Sequence, residues 1–223
     1  MKSLKNTILG SIYCCSLQTG YSPNPNTIIS HLENKMELGK DFYLDKIIEL
    51  EKNGYLRIIK NIYDEKSFDF RCQLTELGRS VIKVVFVGGV FDLLHPGHIH
   101  TLKSAKSLGD ILVVVVATTS TALKIKKDRN IYHDEMQRRE LVEALSFVDL
   151  SIVGKEGTLY DTVKFVKPDI IALGYDQSHN EKEIQKNCSN LGLNLEVIRL
   201  SSPIPKIKST IIKKNLGNTF YDI

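Results

Sequence analysis

Apolar positions along the chain change their period near residue 80. Leu4 to Leu17 carries them at helical spacing, and Pro23 and Pro25 then break the run. Asn26 is placed to cap a second short helix reaching about Glu33. Lys40 to Asn53 predicts a third helix, with Tyr43, Leu44, Ile47, Ile48 and Leu50 as its buried stripe and Asn53-Gly54 as a left-handed stop. Two strands follow. Tyr55 to Tyr63 puts Leu56, Ile58 and Ile62 on one face. Phe68 to Leu74 alternates cleanly, with Phe68, Phe70, Cys72 and Leu74 against Asp69, Arg71 and Gln73, and residues 64–67 form the turn between the two.

Beyond residue 80, strand and helix alternate. The pattern predicts strands at Val81–Val87, Ile111–Thr118, Leu150–Val153, Ile170–Leu173 and Leu195–Leu200. Helices are expected at Gly97–Leu108, Asp134–Leu145, Thr158–Lys167, Asn180–Asn190 and Ser209–Leu216. Near-continuous apolar strands such as Ile111 to Val116 belong to a parallel sheet covered on both faces. Asp134 with Gln137, Thr158 with Asp161 and Asn180 with Glu183 have the spacing of helix-opening caps. The expected fold class is therefore α/β, a doubly wound parallel sheet in residues 81–223, preceded by a small α+β domain in residues 1–80. Three helices and a hairpin in that order resemble a winged helix-turn-helix domain.

Composition narrows the function classes. With 223 residues, 42% hydrophobic and 25% charged, the chain is of ordinary globular type. Its longest apolar run, Ile111 to Ala117, is far too short to span a bilayer, and no signal-peptide core follows Met1, so no membrane partner and a cytoplasmic location are expected. Cys14, Cys15, Cys72 and Cys188 form no C-x-x-C pair, which suits reduced thiols and argues against zinc. A net charge of +4 does not imply nucleic acid. Residues 1–80 hold 11 Lys and Arg against 10 Asp and Glu, and their third helix carries Asp41, Asp45, Glu49 and Glu51. DNA binding is possible there but not favoured, since those carboxylates would face phosphates; docking on protein is the expected role.

The chemistry concentrates where Val84 to Val87 runs into Gly88-Gly89-Val90-Phe91-Asp92-Leu93-Leu94-His95-Pro96-Gly97-His98. A buried strand, a glycine turn and a helix N-terminus together offer backbone N–H groups and partial positive charge to an anion. Gly89, Val90, Phe91, His95, Pro96, Gly97 and His98 are the candidate nucleotide-binding residues, with His95 and His98 as donors to phosphate oxygens. This stretch resembles the signature of the nucleotidyltransferase superfamily of cytidylyltransferase-like enzymes, whose H-x-G-H stands as His95-Pro96-Gly97-His98. Lys124, Lys126 and Lys127 lie in the loop after the next strand, poised as a cationic lid. Arg138 extends the buried stripe of Leu141, Val142 and Leu145 toward the strand tips, where a phosphate would partner its guanidinium, whereas Arg139 falls off that stripe. Tyr132 to Asp149 is similar to the matching stretch of glycerol-3-phosphate cytidylyltransferases and archaeal FAD synthases. In the family, the turn matching Gly174-Tyr175-Asp176-Gln177 contacts the nucleotide, which gives Asp176 a base or ribose role. Ser209 and Thr210 match the C-terminal motif that holds the β- and γ-phosphates.

The resemblance covers residues 83 to about 216. It implies a Rossmann-like fold and nucleotidyl transfer, in which a substrate phosphate attacks the α-phosphorus of an NTP and pyrophosphate leaves. His95, His98, Lys124, Lys126 and Arg138 would be the catalytic set, and Mg²⁺ would arrive with the nucleotide. His-Pro-Gly-His and the Leu173 to Gln177 turn look like archaeal FAD synthases, which favours ATP and FMN as substrates. Tyr132-His133 and the spacing of Lys124 and Lys126 suit CTP and a phosphoalcohol such as glycerol 3-phosphate equally well. A nucleotide-sensing transcriptional regulator is the reading from another class, and a homo-oligomer is the expected state. Two departures stand out: Val90 replaces the Thr usual before Phe-Asp, and the tail lacks the cysteines of some archaeal FAD synthases.

Overall fold

A computed structural model describes residues 3–33, 38–60, 70–125, 131–201 and 212. The chain divides into two units, Met1–Lys83 and Val84–Ile223. In the first, α1 (Leu4–Thr19) stops at Gly20, whose φ of 78° is open to a residue without Cβ. Helix α2 (Pro25–Glu33) is opened by Asn24 rather than Asn26: the Asn24 side-chain oxygen accepts the Thr27 N–H at 2.9 Å. Pro25 then takes the first helical position, where a missing N–H costs nothing. Helix α3 (Lys40–Lys52) buries Tyr43, Ile47 and Leu50 but leaves Ile48 exposed, because position 48 is turned about 100° from position 47. Strands β1 (Leu56–Lys60) and β2 (Phe70–Leu74) pair antiparallel, Leu56 facing Leu74 and Ile58 facing Cys72. The turn expected at 64–67 lies outside the described residues. A further short helix, α4 (Glu76–Ser80), follows Thr75, whose hydroxyl accepts the Gly78 N–H at 3.0 Å.

The second unit contains β3 (Val84–Gly89), α5 (Pro96–Lys106), β4 (Ile111–Val116), α6 (Thr119–Ile125), α7 (Glu135–Glu143) and β5 (Leu150–Val153). After these come α8 (Leu159–Val166), β6 (Ile170–Leu173), α9 (Glu181–Asn190) and β7 (Glu196–Arg199). The five strands are all parallel, in the order β5-β4-β3-β6-β7. The chain runs outward from β3 through β4 to β5, crosses back to β6 and continues outward to β7. Right-handed crossovers in opposite directions put their helices on opposite faces, which makes the sheet doubly wound. Alternate residues Val85, Val87, Leu112, Val114 and Val116 pack with Leu102 and Ala105 of α5 and Val142 of α7 in one core.

Several details differ from the sequence expectation. The first strand of this sheet starts at Val84 instead of Val81, where the Asp169 carboxylate receives the Val84 N–H at 2.7 Å. Residues 119–125, expected as loop, form α6, because Thr118 accepts the Thr121 N–H at 3.1 Å and starts a helix. On α7, Leu141 is off the buried stripe, while Arg138 and Val142 are fully buried. Reciprocal caps open α7 (Asp134 with Gln137) and α8 (Thr158 with Asp161), and Asn180 caps α9. The expected final helix at 209–216 lies outside the described residues except for position 212, which is helical. Among the described residues, no helix is long and apolar enough to cross a membrane.

Candidate active site

The reversal of winding falls between β3 and β6, and in open α/β sheets ligands bind beyond the strand ends at such a point. The β3 end is shaped by crowding. A Cβ at Gly89 would lie 2.7 Å from the Phe91 ring, so any side chain there would have to displace that buried ring. Phe91 itself has φ 52°, an uncommon conformation for a bulky residue. Its ring is buried and meets His98 edge-on, centroids 5.3 Å apart. His98 stacks on His95 at 3.9 Å and 28°. Pro96 opens α5 without an N–H, and His98 and Ile99 N–H groups close onto the His95 carbonyl at 2.9 and 3.2 Å. Nδ1 of His95 is buried without a hydrogen-bond partner among the described residues. Burial pushes the His95 pKa below its usual 6.5, and the negative charge of Asp176 opposes that shift. His95 and the Asp176 turn are thus electrostatic neighbours across the β3/β6 boundary.

Two buried charged residues tie the loop after β4 to this turn. The Asp92 carboxylate, 4% exposed, accepts the backbone N–H groups of Tyr132 and His133, each at 3.0 Å to Oδ1. Arg138 is 0% exposed. Its Nε donates to the His133 carbonyl at 2.9 Å, and its Nη1 donates to the Val90 and Ala117 carbonyls at 2.8 Å each. Nη2 reaches Thr119 Oγ1 at 3.2 Å, with the Glu135 carboxylate 3.9 Å away. Hydrogen bonding from Thr119, helped by the Arg138 charge, holds the Glu135 carboxyl below its usual range. A guanidinium suits this place because converging carbonyls need several donors fixed in one plane.

The turn after β6 has its own supports. Gln177 accepts the Gly174 N–H at 3.1 Å through Oε1 and donates through Nε2 to the Gly88 carbonyl at 2.8 Å, joining the β6 turn to the β3 end. Arg199, at the end of β7, donates to the carbonyls of Gly174 (3.0 Å), Gln177 (2.9 Å) and His179, and pairs with Glu181. That pairing holds the Glu181 carboxyl below its ordinary range.

The predicted residues therefore divide. Gly89, Val90, Phe91, His95, Pro96, Gly97 and His98 lie together at the β3–α5 turn, with Asp176 beside them. Lys124 is exposed on α6, not in a loop. Arg138 meets protein oxygens where a phosphate was expected, and its complete burial keeps the guanidinium behind the turn. Lys126, Lys127, Ser209 and Thr210 lie outside the described residues. Asp92, His133, Gln177 and Arg199 organise the site without having been singled out as site residues.

A doubly wound sheet, with a glycine turn and two stacked histidines at its switch point, defines an α/β protein of the nucleotide-binding class. A family model described as cytidylyltransferase-like matches residues 86–215. The FAD synthase of Picrophilus torridus is 48% identical over 126 residues, covering 56% of this chain and 89% of that protein. The FAD synthase of Thermoplasma volcanium is 50% identical over 117 residues, 52% of this chain and 81% of that one. A solved structure, described as a lipopolysaccharide core biosynthesis protein from Thermoplasma volcanium, is 47% identical with a TM-score of 0.52, and covers 54% of this chain and 98% of that chain. The chain belongs to the cytidylyltransferase-like family.

Proposed function

We propose that this protein is a nucleotidyltransferase that transfers AMP from ATP to FMN, giving FAD and pyrophosphate. The observation that carries the reading is the likeness, at 48% and 50% identity, to archaeal FAD synthases over most of their length. The stacked His95–His98 pair at the β3 turn supplies a matching site. A phosphate oxygen of FMN bonds to the α-phosphorus of ATP, and the bond from that phosphorus to the pyrophosphate oxygen breaks. Little proton transfer is needed, so positioning and neutralisation of phosphate charge carry the catalysis. His95 and His98 would donate to the α- and β-phosphates, with Lys124 and Lys126 closing over them and Ser209 and Thr210 at the far phosphates. Asp176 would face the base or ribose. Arg138 acts through the loops it holds.

Among the described residues, no group of three or more His, Cys, Asp or Glu side chains could hold a metal ion. Mg²⁺, with its preference for phosphate oxygens and water, would come bound to the triphosphate. The first unit contributes none of these groups. Asp41, Asp45 and Glu49 are exposed on α3, and a duplex backbone finds little attraction there. We assign that winged-helix-like unit to protein contact, in a homo-oligomeric enzyme of the cytoplasm.

The decisive experiment is pyrophosphate release by the full chain with ATP or CTP, offered FMN or glycerol 3-phosphate. ATP with FMN should be the productive pair, and His95→Ala or His98→Ala should lower kcat roughly 10²-fold, as loss of a charge-stabilising donor does elsewhere. Strict dependence on CTP would hand the assignment to a cytidylyltransferase.

A further inference from the structure

His133 is held at three of its atoms by two buried charged residues. Its backbone N–H donates to Asp92 Oδ1 at 3.0 Å, and its carbonyl accepts from Arg138 Nε at 2.9 Å. Its ring Nδ1 lies 2.9 Å from the Asp92 carbonyl oxygen. Asp92 is 4% exposed and Arg138 0%, whereas the His133 side chain is 37% exposed. Packing a surface imidazole needs no such restraint. A carbonyl can only accept, so Nδ1 carries the hydrogen and Nε2 is the nitrogen left to meet a ligand.

We propose that Nε2 of His133 binds the phosphate of the acceptor, an assignment that rests on the FAD synthase reading above. The placement follows from the sheet order β5-β4-β3-β6-β7. Asp176, the base or ribose contact, lies in the turn after β6, on one side of the β3 turn. His133 lies in the connection from β4 to β5, just before α7, on the other side, and is joined through Asp92 to the turn that carries His95. In-line transfer needs the entering oxygen roughly opposite the leaving one. The leaving group is pyrophosphate, and the nucleoside stays on the α-phosphorus. The acceptor phosphate therefore needs a holding group of its own near that phosphorus, apart from the nucleoside contact on the β6 side, and His133 on the β4 flank is placed to be one. A phosphate monoester has its second pKa near 6. It can therefore share one proton with an imidazole nitrogen, which then bridges Nε2 and a phosphate oxygen.

Three variants of the intact chain test this against a role in loop structure alone. An Asn amide nitrogen stands where Nδ1 stands, and a Gln amide nitrogen stands where Nε2 stands. His133→Asn therefore keeps the bond to Asp92 and loses the ligand contact; His133→Gln does the reverse. His133→Ala and His133→Asn should raise the KM for FMN about tenfold or more, the size of one hydrogen bond to a charged group. The KM for ATP should not change, and His133→Gln should recover most of the loss. Equal loss in all three, better recovery by Asn than by Gln, wild-type values throughout, or a shift in the KM for ATP would each overturn the proposal. Wild-type turnover of ATP with FMN is the control for the underlying reading. If the acceptor proves to be another phosphate monoester, the same variants are read against its KM.

Discussion

The two flanks of the β3 turn are fixed by different means. On the β4 flank, Asp92 and Arg138 are almost wholly out of water and bond to backbone groups of three separate segments, around residues 90, 117 and 132–133. On the β6 flank, Arg199 also bonds to three carbonyls, but its side chain is 29% exposed and its partner Glu181 is 38% exposed. The hydrogen-bond patterns are alike and the surroundings are not. A buried charge that loses its partners, or a carbonyl that loses its donor, cannot turn to water; at the surface water takes the place. The β4 flank should therefore be part of the folding energy, and the β6 flank an adjustable support for the turn at residues 174–177, to which the proposed function gives the nucleotide.

Arg138→Met is the strongest way to break that comparison. It leaves the carbonyls of Val90, Ala117 and His133 without their guanidinium donors, and should cost about 3–5 kcal/mol, as the loss of one member of a buried charged network does. Arg138→Lys should recover only part, because one ammonium cannot reach carbonyls in several directions. Urea unfolding of the intact chain measures both. A loss no larger than that of Arg199→Ala would mean that burial does not separate the flanks.

Arg199→Ala sharpens the comparison from the other side. Thermal unfolding should barely change, while the KM for ATP rises roughly threefold to tenfold, the effect of loosening a turn held by partly hydrated hydrogen bonds. Selectivity of this kind, with kcat little affected, distinguishes a support of the nucleotide turn from a general loss of structure. A change in the KM for FMN with none for ATP would put Arg199 on the wrong side of the site.

The same contrast explains what could be read from the chain. Continuous apolar runs such as Ile111 to Val116 have only one stable environment, a covered parallel strand, so the sheet and its helices were legible. The β3–α5 turn was legible because glycine, histidine and proline each answer a local backbone demand there. Arg138 was located correctly on its helix face, yet its partners were not phosphates, because periodicity gives a direction and not what lies along it. Asp92 and Arg199 were missed for a related reason: their partners are backbone atoms 20 to 41 residues away, and any residue type supplies those. Residues 119–125 escaped because their helix is short and starts from a threonine hydroxyl rather than from a strong apolar period.

His95 sits between the flanks and reports on both. Burial lowers its pKa from 6.5, and the Asp176 charge on the β6 flank raises it by less than burial lowers it. In the folded protein the ring is thus neutral at pH 7 and binds fewer protons than in the unfolded chain as pH falls below 6.5. The stability associated with the neutral ring is present above pH 6.5 and is lost as pH falls from there through the folded pKa. NMR titration of the histidine ring signals should give His95 a midpoint below 6.5. Asp176→Asn, which removes the opposing charge, should move that midpoint lower still. A midpoint at or above 6.5 would show that burial does not dominate at His95, and a midpoint unmoved or raised on removing Asp176 would show that the β6 turn does not reach it.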